Sequence, residues 1–158
     1  MSRLESTQRR IQAQIDGINW AAKQIADVEG DALELGLGNG RTYDHLRQEL
    51  PDRRIWVIDR RLDANPLSIP PEENFLMGEG DEMLKELTQR GVRMALVHYE
   101  FGIGVDDVDA IEGQKFSPLI AAVMAPGGLV VTSQRMPSMQ AIAGPDTISP
   151  DRYFFYRA

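Results

Sequence analysis

Three glycines, an acid and an amide are concentrated in one short run of the chain, Glu34-Leu35-Gly36-Leu37-Gly38-Asn39-Gly40. Glycine has no Cβ, so the backbone of such a run can turn sharply and approach a ligand closely. Asp59 follows 19 residues after Gly40, and an acid at this distance from a glycine-rich turn can accept both hydrogen bonds of a ribose diol. Together, the two features predict a binding site for a nucleoside-containing ligand.

A strand–helix–strand unit is predicted to hold these residues. Residues 32–35 are a short apolar run that stops at Gly36. Thr42 can cap the helix that follows, and residues 55–58 form a continuous apolar strand of the kind buried on both faces of a parallel sheet. The glycine run therefore joins a strand to a helix, and Asp59 lies at the carboxyl end of the next strand.

The alternation of strands and helices continues along the chain. A leading helix is expected over residues 4–28, ended by Glu29-Gly30. Residues 63–73 contain three prolines and predict a loop. Further elements are expected in this order: strand 75–77, helix 81–90, strand 94–97, a helix over 108–124 interrupted at Ser117-Pro118, a turn at Gly127-Gly128, and strand 129–132.

This order predicts one α/β domain over residues 1–158 with a doubly wound, mostly parallel sheet. It consists of a leading helix (1–29), a ligand-binding core (31–133) and a short tail (134–158). No crossover helix precedes residues 153–156, so they are predicted to form an antiparallel C-terminal edge strand. Ligands of such sheets bind at the carboxyl ends of the strands.

The spacing of the glycines differs from that of the dinucleotide fingerprint Gly-x-Gly-x-x-Gly. The third glycine, Gly40, falls one residue early, and Arg41 occupies the position where the fingerprint has its last glycine. Glu-x-Gly-x-Gly-x-Gly followed by an acid at the end of the second strand resembles motif I of the class I S-adenosylmethionine (SAM)-dependent methyltransferases. The resemblance extends to Gly78-Glu79 and to residues 125–131, and it covers residues 31–133. Residues 33–46, with the short chain, further resemble small bacterial members of undefined substrate.

The resemblance implies a Rossmann-like, three-layer α/β/α fold and SAM as the cofactor. It places Glu34 near the ammonium group, Asp59 on the ribose and Arg60 beside the adenine. Glu79 stands where the family more often has Asp. The cofactor-binding positions that it implies are Glu34, Gly36, Gly38, Asn39, Gly40, Arg41, Thr42, Asp59, Arg60, Gly78, Glu79 and Gly80.

Charge supports a cationic ligand independently of the resemblance. SAM carries a sulfonium and an ammonium group against one carboxylate, so acids at 34, 59 and 79 favour it over a pyrophosphate. The neighbouring Arg60-Arg61 resembles the arginines that accept a 2′-phosphate in NADP enzymes, but Asp59 would repel that phosphate.

Methyl transfer requires an in-line nucleophile, and a base only where the nucleophile must lose a proton. The end of the fourth strand offers His98 and Glu100 as candidate catalytic residues. Glu100 could instead bind a cationic amine, and a histidine at a strand end is as often a hydrogen-bonded structural residue. The Asn/Asp-Pro-Pro-aromatic motif of N6-adenine and amide methyltransferases is absent from this position, which disfavours DNA and glutamine as acceptors.

Acidic residues follow Glu100 at Asp106, Asp107, Asp109 and Glu112. They could form an acidic rim that attracts a cationic substrate, or a solvated first helical turn whose acids suit the helix dipole. The second interpretation is the simpler one.

Composition narrows the classes of function. The 158 residues are 42% hydrophobic and 26% charged, as in globular proteins, and 17 Lys and Arg against 24 Asp and Glu give a net charge of −7. This balance predicts no nucleic-acid partner. Cysteine is absent and His45 and His98 are the two histidines, so no metal site is predicted.

The N-terminus lacks the apolar run of a signal peptide, and the apolar stretch 119–125 is too short to span a bilayer. A soluble, cytoplasmic protein without a membrane partner is therefore expected. The leading hypothesis is a SAM-dependent methyltransferase acting on a small-molecule acceptor. A non-catalytic SAM-binding protein or assembly subunit and, less favoured, an NADP-dependent reductase are the alternatives, and the sequence leaves homo-oligomerisation open.

Overall fold

The computed structural model describes residues 1–101 and 106–158. Two short 3₁₀ turns, Pro66–Ser68 and Glu72–Asn74, lie in the segment that was predicted to be a loop. The helices and strands are, in chain order, α1 (Arg3–Gln24), β1 (Asp31–Leu35), α2 (Arg41–Glu49), β2 (Ile55–Asp59), β3 (Phe75–Met77), α3 (Gly80–Gln89), β4 (Met94–Tyr99), α4 (Asp106–Val123), β5 (Met124–Thr132), β6 (Gln140–Ile142) and β7 (Phe154–Arg157).

The strands form one sheet in the order β3-β2-β1-β4-β5-β7-β6 within the described chain. The strands β1 to β5 are parallel to one another, and β7 is antiparallel to both β5 and β6. The sequence therefore predicted the mostly parallel sheet and the direction of its C-terminal strand. The three-residue β6 lies outside β7, so the edge strand on this side is β6 and not the predicted C-terminal strand. β6 was not predicted, because its residues are largely exposed and show no apolar alternation.

Helices cover both faces of the sheet, as the predicted three-layer architecture requires. On one face, Ile18 and Ala21 of α1 and Leu46 of α2 pack in one buried cluster with sheet residues such as Val57 and Val131. On the other face, residues of α3 and α4, including Leu84 and Ile120, pack in a second cluster with sheet residues such as Ile58 and Val130. Strands covered on both faces are largely apolar, which is why β2 could be predicted from Ile55-Trp56-Val57-Ile58.

Helix α4 is continuous through Pro118, so the predicted interruption at Ser117-Pro118 is wrong. Phe116 and Ile120 are buried on either side of the proline and hold the helix on the sheet. The Ser117 hydroxyl does not cap a new helix; it accepts a hydrogen bond from the Ser138 backbone N–H at 2.9 Å. Tertiary packing has overridden the local preference of proline.

Strand β5 begins at Met124, earlier than the predicted residue 129. Its register on β4 shifts between the pairs Met94↔Met124 and Leu96↔Leu129, so the predicted Gly127-Gly128 turn is an irregularity within the strand. The left-handed φ of +80° at Gly127 accommodates it.

Arg53 ties the end of the leading helix to the sheet. Its half-buried guanidinium donates to the carbonyl oxygens of Ile25 at 3.1 Å, Val28 at 2.9 Å and Gly30 at 2.5 Å. Carbonyls at a helix end have no partner within the helix, so a cation there supplies several charge-assisted hydrogen bonds.

We expect Arg53→Ala to lower the free energy of unfolding by about 2 kcal/mol, because these carbonyl oxygens lose their charged donor; the Ile25 carbonyl keeps the hydrogen bond from Val28 N–H. Urea denaturation measures the change. Arg93→Ala is the matched control, since its exposed guanidinium donates to the carbonyl of the adjacent Val92 and should cost less than about 0.5 kcal/mol. Equal losses in the two variants would contradict this role for Arg53.

Candidate functional site

A cleft of about 940 Å³ lies where the glycine run, the end of β2, the start of α3 and one face of α1 meet. Its size is within the range of small-molecule and cofactor sites. Most of the predicted cofactor positions line it, namely Gly36, Gly38, Asn39, Gly40, Arg41, Thr42, Asp59, Arg60, Glu79 and Gly80. Glu100 also lines the cleft, whereas Glu34, Gly78 and His98 do not.

Glycine is required in the run for two different reasons. Gly36 has a φ of +96°, and a Cβ there would lie 2.6 Å from the ring of Phe101. Gly38 has a φ of +52°, and a Cβ there would meet no atom within 4 Å. The first glycine allows close packing of the chain, and the second leaves open space at the wall of the cleft.

Helix α2 starts at the cleft, with Gly40 as its N-cap and no side-chain cap. Thr42 was predicted to be the cap, but it is the second residue of the helix, so this prediction is wrong. Gly40, Arg41 and Thr42 all line the cleft. Backbone N–H groups in the first turn of a helix lack partners within the helix and favour an anionic group of a ligand.

Asp59 connects the end of β2 to the glycine run. Its Oδ2 accepts hydrogen bonds from the backbone N–H groups of Leu37 at 2.8 Å and Gly38 at 3.1 Å, and its Oδ1 accepts one from Arg61 N–H at 3.2 Å. The sequence predicted a ribose acceptor here; the structure adds that the same carboxylate fixes the glycine run. Next to it, Arg60 Nε lies 3.1 Å from Glu79 Oε2 in an exposed ion pair.

Glu34 does not reach the cleft, which corrects its expected contact with the cofactor ammonium group. Its carboxylate is fully buried, and Oε1 lies 2.5 Å from Nδ1 of His98, whose ring is also fully buried. The Nε2 atom of His98 lies 2.9 Å from the hydroxyl of Tyr153. His98 therefore contacts neither the cleft nor a ligand in it, and it is not placed to act directly as a base.

Tyr153 is the residue that the sequence analysis missed. Its hydroxyl is 3.4 Å from Glu100 Oε2 and hydrogen-bonds His98, so it links the buried pair to the cleft. Gln14 of α1 also donates to Glu100 Oε2. Nothing local marks Tyr153 in the sequence, because 53 residues separate it from Glu100.

The surroundings of His98 and Tyr153 shift the pKa values of both side chains. Burial alone would lower the pKa of His98, but the Glu34 carboxylate, with a contribution from Glu100, raises it above its ordinary value. Burial, together with the charges of Glu100 and Glu34, raises the pKa of Tyr153 well above its ordinary value. Tyr153 is therefore a hydroxyl donor rather than a phenolate at neutral pH.

Part of the predicted acidic rim lies at the cleft. Asp109 and Glu112 of α4 line it together with Lys115, which pairs with Asp81 at 3.2 Å. Burial and the neighbouring Asp109 raise the pKa of Glu112. Asp107 is not part of the lining, and the side chain of Asp106 lies outside the described residues.

A family model described as "S-adenosyl-L-methionine methyltransferase" matches residues 1–158, the whole chain. The protein belongs to this family of SAM methyltransferases. The family match confirms the methyltransferase resemblance and SAM as the cofactor. It decides against the NADP-dependent reductase that Arg60-Arg61 suggested, and it favours an enzyme over a non-catalytic binding protein.

Solved structures agree with this family. This chain is 36% identical to an S-adenosyl-L-methionine methyltransferase from Silicibacter pomeroyi DSS-3. The two structures align with a TM-score of 0.94 over 99% of this chain and 98% of that chain. A TDP-rhamnose 3′-O-methyltransferase of calicheamicin biosynthesis shares the fold, at 16% identity and a TM-score of 0.58 over 99% and 81% of the two chains. Among curated proteins, no sequence matches.

The cleft of this SAM methyltransferase fits its cofactor. Gly38 leaves the wall open where a side chain would intrude, and the carboxylates of Asp59 and Glu79 suit a cationic ligand. In the part of the chain that the structure describes, no cluster of His, Asp and Glu is arranged to hold a metal ion. Over the same part, no helix combines the length and apolar character needed to cross a membrane.

Proposed function

We propose that this SAM methyltransferase methylates a small-molecule acceptor in the cleft between α1 and the glycine run, beside Glu100. One observation carries the proposal: most of the predicted cofactor positions and an acid directly after β4, Glu100, line the same cleft. An acceptor bound near Glu100 would therefore share one site with the cofactor.

Individual roles follow from position and chemistry. Asp59 would accept the ribose hydroxyls, the first turn of α2 would meet the carboxylate of the cofactor, and Glu79 with Gly80 would meet its adenine. When bound, SAM supplies a methyl group already activated on its sulfonium, so the protein contributes position and the removal of a proton. Glu100 would receive that proton, because its carboxylate faces the cleft and is oriented by Gln14.

Size and charge support a small acceptor. The cleft of about 940 Å³ must hold cofactor and acceptor together, and a net charge of −7 opposes a polyanionic substrate. Residues Arg10, Gln14 and Ile15 of α1 line the cleft and would contact the acceptor. A cytoplasmic location stays a prediction from the sequence, which leaves homo-oligomerisation open.

Calorimetry and methyl incorporation test the proposal. SAM and S-adenosylhomocysteine should bind with sub-millimolar dissociation constants, and NADPH should not bind. With methyl-labelled SAM and a cell extract, label should enter the low-molecular-mass fraction. Glu100→Gln should retain SAM binding and abolish that incorporation. Absence of SAM binding by the wild type, or label appearing only in protein or nucleic acid, would overturn the proposal.

A further inference from the structure

A chain of contacts links the buried interior to the cleft. It runs from Glu34 Oε1 to His98 Nδ1 at 2.5 Å, from His98 Nε2 to the Tyr153 hydroxyl at 2.9 Å, and from that hydroxyl to Glu100 Oε2 at 3.4 Å. Its members come from β1, β4, the residue after β4 and the residue before β7. Four separate positions in the sequence therefore converge on one line of polar atoms.

The inner part of this chain is sealed from solvent. Glu34 and His98 are fully buried, and Tyr153 is 2% exposed. Glu34 Oε2 makes no hydrogen bond within the described structure. A buried carboxylate beside a buried imidazole is costly unless the two share charge, so this pair is suited to hold one proton between them. The proposed cofactor and acceptor roles make no use of the pair.

The proton on His98 decides the direction in which Tyr153 donates. In the neutral ring, Nδ1 donates to Glu34 and Nε2 accepts the proton of Tyr153, whose hydroxyl then points inward. In the charged ring, Nε2 donates to the Tyr153 oxygen instead. The hydroxyl proton is then released toward Glu100, so the two ends of the chain are coupled through one hydroxyl.

We propose that Glu34, His98 and Tyr153 form a hydrogen-bond relay that orients Glu100 Oε2 to take the proton of the methyl acceptor. The inference rests on the proposed role of Glu100. The Glu34 carboxylate favours the charged ring of His98, whose Nε2–H donates to the Tyr153 oxygen. The Tyr153 hydroxyl therefore donates to Glu100 Oε2. No proton has to enter or leave the buried pair during the reaction.

Other groups near the relay are consistent with this direction. Arg10 of α1 is the cation whose charge acts on Tyr153, and Gln14 donates to Glu100. Glu100 Oε2 is also 4.0 Å from His98 Nε2, so both carboxylates favour a charged ring at His98. In this relay Glu100 is the catalytic residue, and His98, Glu34 and Tyr153 are positioning residues that act through it.

Titration of His98 tests the relay without a substrate. The sequence has two histidines, so NMR of protein labelled at imidazole nitrogen resolves them once a His45→Gln variant assigns one. Tyr153→Phe removes the acceptor of the Nε2 proton and should lower the proton affinity of His98 about tenfold. Tyr156→Phe is the matched control, because that buried hydroxyl accepts from Met136 N–H in the other core cluster and should leave His98 unchanged.

A double-mutant cycle distinguishes coupling of His98 and Glu100 through the Tyr153 hydroxyl from direct electrostatic attraction between the two residues. Glu100→Gln should lower the proton affinity of His98 in the wild type and should do so less in the Tyr153→Phe background, where only the direct attraction across 4.0 Å is left. An equal effect of Glu100→Gln in both backgrounds, or an equal effect of the two tyrosine variants, would overturn the relay. SAM calorimetry on the same proteins tests the proposed function separately, and Tyr153→Phe should retain SAM affinity because Tyr153 does not line the cleft.

Discussion

Asp59→Ala is expected to weaken SAM binding by about 10–100-fold, which corresponds to about 1–3 kcal/mol. Two losses combine in this variant. The acceptor proposed for the ribose hydroxyls disappears, and the backbone N–H groups of Leu37 and Gly38 lose the carboxylate that orients them. Calorimetric titration with SAM and with S-adenosylhomocysteine measures the change, and both ligands should be affected alike because both contain the ribose.

Two further variants separate these contributions. Asp59→Asn keeps one carbonyl oxygen that can still accept from the glycine run, so it should bind SAM with an affinity between those of the wild type and Asp59→Ala. Asp63→Ala is the control, since Asp63 is exposed and forms a surface ion pair with Arg61 at 3.6 Å. The SAM affinity of this variant should stay within about twofold of wild type. Wild-type affinity in Asp59→Ala would contradict the assigned role.

Asp59 also shows why the cofactor half of the site could be predicted from sequence. The strand before it is a continuous apolar run, and the glycine run lies between two predicted elements. In a parallel sheet the carboxyl ends of adjacent strands meet at one edge, so Asp59 and the glycine run had to be neighbours. Chain order alone fixes that juxtaposition once the strands are recognised.

Glu34 and Tyr153 show where prediction from sequence ends. Glu34 was expected at the cleft because it precedes the glycines, but strand residues alternate between faces and its side chain points into the interior toward His98. Tyr153 reaches Glu100 only because β7 returns antiparallel beside β5. No periodicity in the tail encodes that contact, and β6, which completes this part of the sheet, is too short and exposed to give a pattern.

Pro118 illustrates the opposite error, in which a strong local signal misled the prediction. Proline usually begins a helix or interrupts it, yet the apolar residues around it are buried against the sheet over the length of α4. The packing of Phe116, Ile120 and Val123 outweighs one lost backbone hydrogen bond. Burial of this kind depends on the whole fold and is not visible in a window of sequence.

Gly38→Ala is expected to weaken SAM binding by about tenfold or more while the fold is retained. Gly38 lies on the wall of the cleft, and its added methyl group would enter space that no protein atom occupies within 4 Å. Overfilling a well-packed site typically costs about 1–3 kcal/mol. The N–H group of residue 38 remains in the variant, so its hydrogen bond to Asp59 is not removed.

Gly91→Ala is the control, because Gly91 has the same left-handed backbone conformation as Gly38 and does not line the cleft. Gly91 has a φ of +75° in the turn after α3, and a Cβ there would also meet nothing within 4 Å. Each substitution places a side chain in the left-handed region, so both variants should lose about 1–2 kcal/mol of unfolding free energy in urea. Only Gly38→Ala should lose SAM affinity. If the two variants bound SAM equally well, the methyl group at residue 38 would not meet the cofactor, and the glycine run would serve the turn alone.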